Sequence, residues 1–277
     1  MHLVIQGSNV ETHDLKQLAK LSGASAIEQI SPNVFRLSAA NPHAEIDVLC
    51  AQAQLDYAFV PENQTLDHIG LVVMDMDSTL ITIECIDEIA DMIQLKPQVA
   101  EITEAAMRGE LDFAQSLSKR VALLVDLDAS ALQRVYDERL RLSPGAEVFI
   151  QALRARGIKT LLVSGGFTFF TDRMKARLQL DHAASNTLEI IDGKLTGRVL
   201  GKIVDAQGKA DCLVQVRTAL GLQKSQVIGI GDGANDLKML GEAGIGIAYH
   251  AKPIVRAQTR YAINYGGLDA VLNLFVA

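Results

Sequence analysis

The chain of 277 residues can form one large domain or two smaller ones, and with 49% apolar residues it can bury a substantial core. Its formal net charge of −7 disfavours nucleic acid as a partner, because backbone phosphates are bound largely through lysine and arginine. No apolar run approaches the ~18 residues of a membrane span, and Met1–Gly7 lacks the basic and apolar regions of a secretory signal. Three scattered cysteines (Cys50, Cys85, Cys212) suggest neither a disulfide framework nor a zinc site, so a cytoplasmic protein is expected.

In chain order, Leu3–Ile5 predicts a strand, Val10–Leu21 a helix, Asn33–Leu37 a strand and Ala44–Gln54 a helix, before a polar break at Pro61–Gln64. These elements predict a small α+β domain over residues 1–66, with no motif that suggests chemistry and a structural or oligomeric role favoured, compatible with a homodimer. From residue 67 onward, Leu71–Met74, Thr160–Val163, Val227–Ile230 and Ile245–Ala248 are short aliphatic runs that do not alternate with polar residues. Such runs are strands buried on both faces, as in a parallel sheet covered by helices.

Between them, Ala146–Arg156 has Ser143 and Pro144 as helix-start signals and Gly157 as a stop, and a second helix runs from about Ala210 to Leu220. Residues 84–140 carry only helical periodicity, with Ile83, Ile86, Ile89, Ala90 and Ile93 forming one stripe. That pattern predicts a helical cap over about 83–142, inserted into a core of 67–82 and 143–277. Leu188–Val199, with Asp192-Gly193 at its centre, predicts a hairpin. The class is α/β: a parallel-sheet Rossmann-like core with a helical cap insertion, plus the small N-terminal α+β domain.

Three strand ends carry reactive residue types: Asp75-Met76-Asp77-Ser78-Thr79, Ser164-Gly165-Gly166, and Gly231-Asp232-Gly233-Ala234-Asn235-Asp236. In open α/β sheets these ends face one crevice. On an extended chain Asp75 and Asp77 leave the same face ~7 Å apart, repelling by about 2 kcal/mol at an effective dielectric of ~20. Asp232 and Asp236 add to the repulsion, and an oxygen-only cluster of this kind suits a hard cation such as Mg²⁺. Any one Asp-x-Asp is commonly just a solvated acidic turn; the coincidence at three strand ends carries the argument. Ser164, Gly165 and Gly166 offer a hydroxyl and backbone N–H groups to an anion. Lys209, placed just before a helix start where the macrodipole disfavours a cation, makes sense opposite a phosphate or carboxylate.

These motifs, in this order, resemble those of the haloacid dehalogenase superfamily. The stretch from about 71 to 275 is similar more narrowly to the phosphoserine phosphatase family. That narrower likeness is carried by Met76–Leu80 with Glu84, Met107-Arg108-Gly109, Phe113, Ser116-Leu117, Arg120-Val121 and Val163–Phe167.

The resemblance implies a Mg²⁺-dependent hydrolysis of O-phospho-L-serine, the last step of serine biosynthesis. Asp75 is then the nucleophile and Asp77 the acid and base. The metal is held by Asp75, the Asp77 carbonyl and Asp232, with Asp236 nearby. Ser164, Gly165, Lys209 and Asn235 hold the phosphate, Glu84 the substrate ammonium and Arg120 its carboxylate. Without the resemblance, Glu84 is a helix-start charge and Arg120 half of a surface ion pair, while Phe113 and Met107 are cap core and Cys85 is bystander packing. Two alternatives stay open: phosphoryl transfer to an acceptor alcohol such as homoserine, and a non-catalytic phosphoserine sensor. A serine-sensing role for the N-terminal residues is the alternative to a structural one.

Overall fold

A computed structural model describes residues 1–276. Residues 2–60 form a four-stranded antiparallel sheet in the order β2-β3-β1-β4, from β1 (His2–Gln6), β2 (Ala26–Ser31), β3 (Val34–Ser38) and β4 (Asp56–Val60). Helices α1 (Thr12–Ser22) and α2 (Ala44–Gln52) cover one face. Because successive side chains on a strand point to opposite faces, Leu3 and Ile5 pack with Leu18, Leu37 and Ile46 beneath these helices. Val4, Ala58 and Val60 point the other way and join the core of the larger domain. The N-terminal residues therefore have their own sheet but share a core with the rest of the chain.

The larger sheet has seven strands in the order β11-β10-β9-β5-β6-β7-β8. They are β5 (Leu71–Met74), β6 (Lys159–Phe167), β7 (His182–Ile191), β8 (Lys194–Leu200), β9 (Val227–Gly231), β10 (Ile245–Tyr249) and β11 (Tyr261–Ile263). All neighbours are parallel except the β7–β8 hairpin, whose turn residues Asp192 and Gly193 both take positive φ. Two positive-φ residues match the right-handed twist of the flanking strands.

The aliphatic runs fail to alternate because both faces are covered. Val72, Met74, Leu162, Ile228 and Ile230 face α7 (Ala146–Ala155), α8 (Thr168–Leu178) and the N-terminal sheet. Leu71, Val73, Leu161, Val163 and Val227 face α9 (Ala206–Ala219) and α10 (Leu237–Glu242). The short α11 (Pro253–Arg256) comes after β10.

Between β5 and α7 lie α3 (Cys85–Asp91), α4 (Lys96–Met107), α5 (Phe113–Ala122) and α6 (Ser130–Arg134), the helical cap. Asp112 starts α5 with a reciprocal capping box to Gln115. The two linkers joining cap to core pair with each other: Ile81 bridges Leu142, Thr82 N–H donates to the Arg141 carbonyl, and the Ser143 hydroxyl donates to the Thr79 carbonyl at 2.6 Å. Among the described residues, no helix is long and apolar enough to cross a membrane.

Four expectations change. The helix expected from Ala210 begins at Ala206, capped by the Asp205 carboxylate on the Gly208 N–H, so Lys209 lies one turn inside it. Gly208, a poor helix former, hides the true start. Strand β5 ends at Met74, and the chain then turns through Met76–Leu80 with Ser78 at φ +56°, so Asp75 and Asp77 diverge instead of sharing a strand face. Met107 is 70% exposed at the end of α4 and is not cap core. Strands β2, β4 and β11 lie outside the expected runs; β2 is an edge strand with every residue exposed, so burial left no pattern in its sequence.

Candidate active site

The carboxyl ends of β5, β6 and β9 lie side by side, and each delivers its motif to one place. Asp75 comes directly after the last residue of β5, where its N–H donates to the Ile230 carbonyl of β9. Its Oδ1 accepts the Met76 N–H at 2.7 Å and pairs with Lys209 Nζ at 2.8 Å. Among the described residues, Oδ2 has no hydrogen-bond donor.

Lys209 reaches the cluster from the first turn of α9, only 1% exposed, and its Nζ also meets Asp236 Oδ1 at 2.8 Å. Burial alone would lower the ammonium's pKa, but Asp236 and Asp75 outweigh it and hold the pKa above its ordinary value. The other Asp236 oxygen accepts the N–H groups of Asp232 and Gly233, which fixes the loop after β9.

Asp75, Asp232 and Asp236 each offer an oxygen, all within 4.8 Å of one another. Burial, then Asp236, pushes Asp75 well above the ordinary carboxylate range, and the same causes raise Asp232 to about 6. One lysine cannot neutralise three carboxylates, two of them buried and Asp232 half-buried. The surplus negative charge and the all-oxygen donor set fit a hard divalent cation. Thr79, fully buried, donates from Oγ1 to Asp232 Oδ1 at 3.1 Å and orients it.

The Asp77 carboxylate is turned away from this trio. Its Oδ1 accepts the Cys85 N–H at 2.9 Å and its Oδ2 the Ser164 hydroxyl at 3.1 Å. Ser164 Oγ in turn accepts the Gly166 N–H at 2.8 Å. A Cβ on Gly166 would sit 2.8 Å from Asp77 Oδ2, so glycine is required there by close approach.

Asn186 on β7, buried and missed by the sequence reading, donates to the Gly165 carbonyl and accepts the Val204 N–H, both at 2.8 Å. It ties the Ser-Gly-Gly turn to the segment leading into α9; a lone asparagine in a strand gives no signal of this. Asn235 lies in the single turn Ala234–Asp236, its Oδ1 folded back on Gly233.

The cap supplies the rest. Glu84 sits at the start of α3, accepts the Ser78 hydroxyl at 2.6 Å and keeps an exposed face. Enclosure by the surrounding chain, with Asp77 nearby, raises its carboxyl to about 7. Arg120 on α5 is half-buried and makes no ion pair among the described residues, whereas Lys119 is exposed. Burial lowers the guanidinium's pKa, against the opposing pull of Asp87, Glu84 and Asp77. The Phe113 ring lies on Gly165, where an added Cβ would meet it at 2.7 Å, so Phe113 lines the seam between cap and core. The Cys85 side chain is buried and its thiol is raised well above the ordinary value by burial, which makes it inert packing.

The sequence profile of the haloacid dehalogenase-like hydrolases matches residues 69–244, and that of a domain of unknown function, DUF4072, matches residues 3–46. A phosphoserine phosphatase of Polaromonas sp. is 53% identical over 214 residues, covering 76% of this chain and 91% of that protein. One from Haemophilus influenzae is 42% identical over 278 residues, covering 99% and 88%. The crystal structure of a probable phosphoserine phosphatase from Vibrio cholerae superposes with a TM-score of 0.86 at 39% identity, covering 99% of this chain and 85% of that one.

Proposed function

The chain belongs to the haloacid dehalogenase-like hydrolases, and from that premise we propose that it is a phosphoserine phosphatase, hydrolysing O-phospho-L-serine to L-serine and phosphate. The observation that carries this is the meeting of Asp75 and Asp77, Ser164 and Asp232 at three adjacent strand ends, with Lys209 reaching in from α9, beneath a cap whose Arg120 has no ion pair among the described residues. The reaction is the last step of serine biosynthesis.

Asp75 Oδ2 attacks phosphorus while the bond to the serine oxygen breaks, and Asp77 gives that oxygen its proton. The aspartyl-phosphate so formed is opened by water, whose proton returns to Asp77 as the P–O bond to Asp75 breaks and the carboxylate is restored. The two hydrogen bonds on Asp77, from Cys85 N–H and Ser164, hold it in place for both transfers. Asp75, the Asp77 backbone carbonyl and Asp232 would hold Mg²⁺, with Asp236 beside them; when bound, it offsets charge on the phosphoryl oxygens. Lys209, Ser164, Gly165 and Asn235 hold those oxygens. Phosphate monoester hydrolysis demands accelerations of up to ~10²¹-fold, roughly 29 kcal/mol, which a nucleophile, a metal and fixed charges share.

Glu84 takes the substrate ammonium. Arg120 takes its carboxylate through the planar fork that matches a carboxylate with two parallel hydrogen bonds. Phosphate release from L-phosphoserine in Mg²⁺, compared with a panel of small phosphomonoesters and with Asp75→Asn as control, tests this. Strong preference for phosphoserine, abolished in the control, is expected. Better turnover of a sugar phosphate would overturn the substrate, and activity surviving in Asp75→Asn would overturn the nucleophile.

A further inference from the structure

A buried carboxylate of the N-terminal sheet, Asp56, leads to the cap. Asp56, 1% exposed at the start of β4, accepts the backbone N–H groups of Asn264 at 2.6 Å, Tyr265 at 3.2 Å and Gly266 at 2.7 Å. The turn after β11 is thereby fixed from one side. From the other side it is pressed against the linker that returns from the cap. Leu268 N–H donates to the Pro144 carbonyl at 2.8 Å, and a Cβ on Gly267 would come within 2.6 Å of that same oxygen. Gly145, at φ +74°, packs so closely that a Cβ would lie 1.9 Å from Asp269 Oδ1.

The next residue back from Pro144 is Ser143, whose N–H and hydroxyl bind the Leu80 and Thr79 carbonyls of the outgoing linker. Both cap linkers therefore stand on a turn that Asp56 holds. Further bonds support the same seam: Gln6 Nε2 to the Ala270 carbonyl at 3.2 Å, Arg36 Nη2 to the Phe275 carbonyl at 3.3 Å and Asn273 Nδ2 to Gln6 Oε1 at 2.7 Å.

We propose that the N-terminal module positions the cap, with Asp56 as a positioning residue that braces the linkers through the turn 264–269. This rests on the reading that Glu84 and Arg120 engage phosphoserine from the cap. Loosening the brace displaces these two groups and leaves Asp75, Lys209 and Asp232 in place.

The test compares two substrates: L-phosphoserine, which offers an ammonium and a carboxylate to the cap, and acetyl phosphate, which offers neither. Asp56→Asn keeps the side-chain shape but turns an amide donor toward backbone N–H groups. Gly267→Ala pushes the turn against Pro144 from the far side without touching the N-terminal module. In both variants kcat/KM for phosphoserine should fall ~10-fold, mainly through KM, with acetyl phosphate within ~2-fold of wild type; a 1 Å misplacement can cost up to ~10²-fold. Equal proportional losses on both substrates, as simple unfolding would give, or no loss on either, would overturn the brace. The wild-type arm separately tests the underlying reading: phosphoserine turned over no better than acetyl phosphate would overturn the substrate assignment and the brace with it.

Discussion

Replacing Lys209 with methionine removes one ammonium from between two buried carboxylates while roughly keeping its length. At 2.8 Å each, and at an effective dielectric of ~20, its contacts with Asp75 and Asp236 amount to about 6 kcal/mol apiece before desolvation. Methionine avoids the cost of burying an ammonium, so the net loss is smaller: about 3–5 kcal/mol, the usual result of removing one partner from a buried pair. The deficit should depend on pH in a set direction. Asp75 and Asp232 already have raised pKa values in the folded protein, through burial and then Asp236, and loss of the lysine raises them further. A carboxyl whose folded pKa exceeds its unfolded one is stabilising only when protonated. The unfolded chains titrate alike, so the deficit grows as pH rises above about 6, the wild-type folded value of Asp232, and shrinks as pH falls back to it. Equilibrium urea denaturation of metal-stripped wild type and Lys209→Met, at pH 8 and again near pH 5, measures it. A deficit below ~1 kcal/mol at pH 8, or one that does not shrink on acidification, would refute the argument.

Ser164→Ala deletes the hydroxyl shared by Asp77 and the Gly166 N–H, and should lower kcat/KM about 10²-fold with little change in the urea midpoint. Because the Glu84 carboxyl is raised to about 7, its charged form gains population as pH rises through 7; KM for phosphoserine should fall over that range in the wild type. Glu84→Gln should raise KM about 10-fold and flatten that dependence; a KM that still falls steeply would assign the titration to another group. Mg²⁺ at ~100 times its dissociation constant should add about 2.7 kcal/mol to wild-type stability, and chelation should remove both that increment and activity. The same titration of Asp232→Asn should need far more metal.

The sheet was legible because both its faces are buried: Leu71–Met74 and Val227–Ile230 are runs of aliphatic residues that only a covered parallel strand explains. The acidic and Ser-Gly-Gly motifs were legible because strand ends are a predictable place for polar residues. Side-chain direction was not. Spacing alone put Asp75 and Asp77 on one face, yet the turn at Ser78 sends one toward Lys209 and the other toward Ser164. The pairing of Lys209 with Asp236 joins residues 27 apart through the packing of α9 on α10, which no local pattern encodes. Asn186 and Asp56 act through backbone groups distant in sequence, so their residue type alone revealed nothing.

The position of β5 bears on how the protein is made. It lies in the middle of the large sheet, between β6 and β9, yet those strands begin only at Lys159 and Val227. At a synthesis rate of ~5–20 residues per second, β9 emerges roughly 8–30 s after β5. β6 emerges roughly 4–18 s after β5 at that rate, and until then an all-aliphatic strand with two open edges has no lateral partner in its own sheet. The antiparallel sheet of residues 2–60 is already complete when β5 appears, and its second face carries Val4, Ala58 and Val60, which pack in the same cluster as Val72 and Met74. The N-terminal module thus offers an apolar surface that can shelter β5 before its sheet partners emerge on the ribosome.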